Sequence, residues 1–356
     1  MIINRYLIRE IALPLVTVTT ILIIIFMSFN AAVYTAEAAA GLLPASTVVH
    51  LTLLRSLIAI EVLLPAALYL AVVMSMGRLY SDNEMVALHA SGFSERRVMR
   101  SVLWFSLILA MVVASLSLVV RPWAYQKSYH IKAQAEAEFN LDKLEAGQFY
   151  TAEESGTVIF VERINHQQDR LEQVYFYRLD DKGVRVISAQ QAWQPVTDPF
   201  APPVFKFVDG TAYQIDLSGK RDLTLKFKEL TLLLEGNEQK LNRHRSKAAS
   251  TLQLARSKKP ADLAEFQWRL TTPITTLLLG VLAVPLSRTP PRSGRHAKTV
   301  VAVLLFAVFY IFNIMARNWV EQGTVGAIPG VWWPDILLGL LILVLLLRPA
   351  MWAGRR

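Results

Sequence analysis

Apolar residues fall into six long runs, approximately 11–36, 51–77, 98–120, 268–287, 299–319 and 331–347, three on each side of a polar block. At ~1.5 Å rise per residue, each run crosses ~30 Å of hydrocarbon as a helix, the fourth to sixth near the minimum length. A soluble protein has no use for six such stretches. The pattern predicts a polytopic α-helical membrane protein with six transmembrane helices. Inside the polar block the period changes. Residues 123–139 read as polar helix, and beyond Gly147 apolar and polar positions alternate. Strands are expected over 157–164, 171–179, 184–189, 204–208 and 223–230. Turn-forming clusters separate them: Asp180-Asp181-Lys182-Gly183, Pro202-Pro203, Asp209-Gly210 and Ser218-Gly219-Lys220. Many short strands at this spacing suggest an all-β domain of β-sandwich or jellyroll-like type. The implied division is 1–122 (helices one to three), 123–265 (the β domain with its linkers) and 266–356 (helices four to six).

Charge gives the orientation. Arg5 and Arg9 precede the first run. Arg78, Arg96, Arg97 and Arg100 lie between the second and third, and Arg288, Arg292, Arg295 and Lys298 between the fourth and fifth. Arg348, Arg355 and Arg356 follow the sixth. Connections 37–49 and 320–331 contain no Lys or Arg. Positive residues stay cytoplasmic, so both termini are expected there and the β block is exported. The formal net charge of +9 is then mostly topological, not a nucleic-acid signal. The first run is too long for a cleaved signal segment and is kept as a helix. Residues 240–259 hold seven Lys/Arg and no acid. They read as a solvated linker or as a surface for anionic head groups.

Several chemistries have no sequence support. There is no Cys, no phosphate-binding G-x-x-x-x-G-K-[ST] and no H-E-x-x-H, and His50, His89, His130, His166, His244 and His296 are scattered. An enzyme is therefore not expected, nor a metal or cofactor in this chain. The most specific local signal is the bend between the second and third runs. Ser81 and Glu84 have capping-box spacing and Gly92 fits a helix stop, which predicts a short helix near 81–91. Helical spacing gathers Glu84, Met85, Leu88 and His89. Such a helix either couples to a separate ATPase or packs on its own membrane domain.

These stretches resemble the LptF/LptG permeases of the lipopolysaccharide export system. The resemblance is carried by the opening Met1-Ile2-Ile3-Asn4-Arg5-Tyr6, the bend Leu79-Tyr80-Ser81-Asp82-Asn83-Glu84 through Gly92, and Glu145-Ala146-Gly147-Gln148-Phe149. Glu265-Phe266-Gln267-Trp268-Arg269 and Val284-Pro285-Leu286-Ser287 complete it. It covers essentially the whole chain, and the opening and the Leu-Tyr pair favour the LptF branch. It implies six membrane helices in the bacterial inner membrane with a periplasmic jellyroll. It also implies a heterodimer with LptG, an LptB dimer that binds ATP and Mg, LptC as the continuing bridge, and lipopolysaccharide as substrate. Glu84 occupies the position of the family's acidic coupling residue.

The same resemblance directs attention to charge inside the apolar runs, which costs several kcal/mol unless paired or near water. Arg317 is expected either to contact head-group phosphate or to snorkel to the interface. Arg55 and Glu61 fall on different helix faces, so each should find a partner elsewhere. Phe26, Met27, Phe309 and Phe312 are candidate apolar lining. Positions 10–54 lack Lys and Arg, which leaves Asn30 and Tyr34 as the polar candidates of the first helix. The alternative class is a membrane-anchored periplasmic scaffold or sensor without transport activity.

Overall fold

The computed structural model describes residues 2–39, 44–142, 147–152, 157–165, 170–180, 183–193, 204–215, 223–233, 245–287 and 297–347. Arg288, Arg292, Arg295, Arg348, Arg355, Arg356, the Glu145-Ala146 pair and the 240–244 part of the basic stretch lie outside them. Two compact units form, one from Met1–Asn30, Leu53–Gln126 and Ser246–Arg356, the other from Ala31–Thr52 and Lys127–Arg245.

The first unit is helical. Its elements are α1 (Ile2–Ala39), α2 (Ala45–Ser81), α3 (Glu84–Ala90), α4 (Glu95–Ser115) and α5 (Arg121–Asp142), followed later by α6 (Thr251–Arg256), α7 (Pro260–Leu286), α8 (Ala297–Glu321) and α9 (Trp333–Leu347). The ends of α1 and α5 and the start of α2 pass into the second unit. A π-helical turn, Leu116–Val120, joins α4 to α5. Among the described residues, five stretches are long and apolar enough to cross a membrane: Ile2–Ala39, Ala45–Ser81, Glu95–Lys132, Pro260–Leu286 and Val300–Glu321. The sixth run forms the 15-residue α9, ~22 Å long and below the ~30 Å of hydrocarbon. The core is built from Leu7, Ile11, Leu68, Val72, Met76, Val102, Leu279 and Leu282. Helices α4 and α7 approach closely at Gly280, where a Cβ would fall 2.1 Å from Ser106 Oγ.

The described residues of the second unit form six strands: β1 (Gln148–Ala152), β2 (Thr157–Asn165), β3 (Arg170–Asp180), β4 (Gly183–Trp193), β5 (Val204–Ile215) and β6 (Leu223–Leu233). They form one antiparallel sheet in sequence order. The described strands thus make a single sheet, where the sequence led to the expectation of a β-sandwich or jellyroll-like domain. One face carries a core of Val161, Leu171, Val174, Phe176, Ile187, Ala192 and Phe207.

That face does not follow strict alternation. In β3, Leu171 is buried with Val174 and Phe176; in β4, Ala192 is buried with Ala189 and Ile187. Each strand skips to a three-residue step at one point, yet the pairing stays constant, with Leu171↔Ala192 and Val174↔Ala189 in one register. The skipped positions, 162, 173, 190, 209 and 228, form a line across β2 to β6. Gln173 (φ 54°) and Asp209 (φ 50°) adopt the left-handed conformation on this line, which reverses the side on which successive side chains project. Asp209-Gly210 is therefore not the expected turn but a crease inside β5. Gly210 is required there, because a Cβ would lie 2.4 Å from the Ser188 carbonyl oxygen.

Candidate functional site

The bend between α2 and α4 is held by local backbone chemistry. Gly92 has φ +83°, and the amides of Gly92 and Phe93 donate to the carbonyls of His89 and Leu88 at 3.0 Å each. This is the Schellman pattern, and it confirms the Gly92 stop. The expected Ser81–Glu84 capping box is absent. Helix α2 continues through Ser81, whose hydroxyl donates to the Arg78 carbonyl at 2.9 Å. Asn83 in the left-handed conformation is the residue before α3 and makes no side-chain cap. The preceding helix wins because its last turn uses the backbone that the box would need.

The structure divides the four residues expected to act together. Met85 is 1% exposed and packs in the membrane-helix core, with Leu88 half-buried beside it. Met85 is thus an anchor for α3, not a surface for a partner. Glu84 is half-buried and accepts a 2.5 Å hydrogen bond from the Tyr6 hydroxyl of α1. His89 faces outward with Val86, which is 61% exposed. Nearby, Arg78 pairs with Glu10, and Ser75 Oγ donates to the Glu10 carbonyl at 2.8 Å. The outward Val86 escaped the sequence reading because the register of so short a helix depends on where it starts.

A second constellation lies where α2, α5, α7 and α8 meet. Glu265 of α7 is 1% exposed and holds three guanidinium groups: Arg121 Nε at 2.8 Å, Arg269 Nε at 3.1 Å and Arg317 at 2.6 Å. Arg121 also reaches Glu61 of α2 at 2.8 Å. Ser117 Oγ, in the π-helical turn, lies 2.9 Å from Glu61 Oε1 and 3.1 Å from the Arg269 carbonyl oxygen. Burying charge costs several kcal/mol per ion, and pairing with saturated hydrogen bonds is what makes it tolerable. Glu61 and Arg55 do take separate partners, as their spacing required. Arg55 sits 5.5 Å from the centroid of the Tyr125 ring, which also faces Arg121 at 5.2 Å and the Lys247 ammonium at 5.5 Å.

Arg317 also stacks 4.9 Å from the Trp268 ring centroid. It is a paired cation, not a snorkelling one. Five cations (Arg55, Arg121, Lys247, Arg269, Arg317) share this region with two carboxylates (Glu61, Glu265). Burial, then the neighbouring Arg317 and Arg121, push the Lys247 ammonium down to about 8. The sequence reading missed Arg121, Glu265, Arg269 and Lys247 as one cluster. The signals were an arginine closing the third apolar run and Glu265/Arg269 at helical i,i+4 spacing.

The proposed apolar lining is dispersed. Phe26 and Met27 are half-buried on α1, and Asn30 turns its amide back to the Phe26 carbonyl at 2.8 Å. Tyr34 is buried beside Leu51 in the second unit. Phe312 packs on Trp333, centroids 5.5 Å apart. Phe309 is buried and, with Val62, Trp268 and Asn313, lines a cavity of ≈ 30 Å³. Among the described residues no cluster suits a metal ion.

Long apolar helices with an inserted antiparallel sheet and a short helix anchored across a bend define a multi-pass membrane protein. The family profile "Lipopolysaccharide export system permease LptF/LptG" matches residues 5–348. The chain belongs to this family and is accordingly a multi-pass inner-membrane permease of lipopolysaccharide export. It is similar to the "Lipopolysaccharide export system permease protein LptF" of Escherichia coli K12, at 24% identity over 97% of this chain and 94% of the relative. The Shigella flexneri protein of the same description matches at the same identity and coverage.

Proposed function

We propose that this chain is the permease subunit of an ATP-binding-cassette transporter that extracts lipopolysaccharide from the inner membrane and passes it to a periplasmic β-jellyroll bridge. The observation that carries this reading is α3, gripped from within by Met85 and Leu88 while Val86 and His89 face outward. A helix seated in that way passes a push on its outer face directly into the bundle. In this reading α3 and both termini are cytoplasmic, and α9 is the sixth span. The portion 123–265 is the periplasmic jellyroll domain, between the transmembrane portions 1–122 and 266–356. LptG completes the heterodimer, and an LptB dimer docks at Glu84 and His89, with Met85 and Leu88 as anchors. ATP and Mg bind in that dimer and not here. LptC receives the lipid.

Substrate chemistry fits the second constellation. Lipopolysaccharide presents anionic phosphate and several acyl chains, each CH₂ worth ~0.8 kcal/mol if exposed to water. Arg317, Arg55 and Lys247 supply the cationic rim, and Phe26, Met27, Asn30 and Phe312 belong to the side facing the acyl chains. The test is purification of the intact complex in detergent, with identification of its subunits and bound lipid. Glu84→Ala should lose ATPase subunits while inserting normally, and Arg317→Ala should retain less lipopolysaccharide. A chain that purifies without an ATPase, or whose depletion leaves envelope lipopolysaccharide normal, would refute the transport reading.

A further inference from the structure

The Arg269 guanidinium has five N–H donors, and all five are engaged. Nε donates to Glu265 at 3.1 Å. The other four meet the carbonyls of Ala249 (2.9 Å), Ser246 (3.3 Å) and Lys247 (2.9 Å) and the hydroxyl oxygen of Thr251 (3.1 Å). One fully buried side chain thus grips the backbone of the segment through which the chain returns from the sheet toward α7. Thr251 passes the grip on, donating its hydroxyl to the Leu118 carbonyl at 2.8 Å inside the π-helical turn. That turn breaks the regular α-helical hydrogen-bond ladder and is a common place for functional adaptation. Asp262 fastens the same segment twice more, accepting from Ser246 at 2.5 Å and Ser257 at 2.6 Å. On its other side, Arg269 is continuous through Glu265 with Arg121, Arg317 and Glu61, hence with α5, α8 and α2.

A segment needed only to connect a domain to a helix does not require a buried arginine with four of its five donors spent on it. We infer that Arg269 and Thr251 are positioning residues that bind the return segment to the converging membrane helices, so that helix motion in the transport cycle moves the segment leading out of the β domain. The inference rests on the transport reading above. It assigns the buried network a mechanical role, distinct from any contact of Arg317 with lipid.

The experiment uses the complete complex with its partner subunits in proteoliposomes, measuring ATP hydrolysis and lipopolysaccharide release together. A wild-type complex that hydrolyses ATP without releasing lipopolysaccharide would refute the transport reading itself, before any variant is compared. Given transport, Thr251→Val removes the hydroxyl while keeping the shape, and Arg269→Lys keeps the charge but cannot span the carbonyls. Lipopolysaccharide released per ATP is expected to fall about tenfold in Thr251→Val, with hydrolysis and subunit assembly within about twofold of wild type, an effect of the size seen along coupling networks. Arg269→Lys should fall at least as far; if it does not assemble, Thr251→Val alone decides. An unchanged ratio in assembled complex, including a parallel decline of both activities, overturns the inference, because a merely structural support lowers both together.

Discussion

Glu265→Gln removes one negative charge from a site where it faces three arginines. At an effective dielectric of about 20, each close pair contributes about 4 kcal/mol of attraction at 4 Å, most of it offset by desolvation. What the substitution exposes is the uncompensated remainder. Breaking one buried pair costs about 3–5 kcal/mol. Glu61→Gln affects one arginine, Arg121, which keeps Glu265 as a partner. Glu265→Gln takes the carboxylate partner from Arg269 and Arg317 and leaves Arg121 with Glu61 alone. The Glu61 substitution should therefore lie near the lower end of that range and the Glu265 substitution at or above the upper end. The assay is denaturant unfolding of the purified protein in detergent, comparing midpoints of wild type and the two variants at one pH and salt concentration. Equal losses, or a larger loss at Glu61, would refute the assignment of Glu265 as the hub.

Two further outcomes are expected. Gly280→Ala places a methyl 2.1 Å from Ser106 Oγ and should destabilise by about 1–3 kcal/mol through overpacking; Ser106→Gly in the same chain should restore most of the loss in the unfolding assay. Lys247 has a folded-state pKa of about 8 against 10.5 when free. Between those values the unfolded chain holds a proton that the folded chain has released, so the folded state gains stability as pH rises from about 8 to 10.5. Lys247→Met lacks this gain, so the stability difference between wild type and variant should shift in favour of wild type across that window; parallel curves would contradict the burial of the ammonium.

Much of this architecture was legible in the sequence because burial in lipid demands long uninterrupted runs, and the strands expected over 157–164, 171–179 and 184–189 are present as β2, β3 and β4. The Gly92 stop was legible for a similar reason, since its requirement is local. What escaped depended on distant partners. Asp209-Gly210 has the composition of a turn, and only the neighbouring strands, each kinking at the same level, turn it into a crease. Ser81 has the spacing of a cap, but α2 had first claim on its backbone. Glu265, Arg269, Arg121 and Lys247 come from three places in the chain, and nothing in their local context says that they converge. Arg317 was singled out as a lone charge; its carboxylate, Glu265, lies 52 positions away.

The crease across the sheet also limits how this protein can vary. Five strands change face along one line while keeping their pairing, so no strand can lengthen by itself. One residue inserted within β4 would send its apolar side chains to the opposite face and carry Gln190 out of line with Gln173 and Asp209. Compensation would require the same insertion in every neighbour. The connections between strands are free of this constraint and can change length without moving the crease. A sheet under this constraint can change widely in composition and still keep its crease.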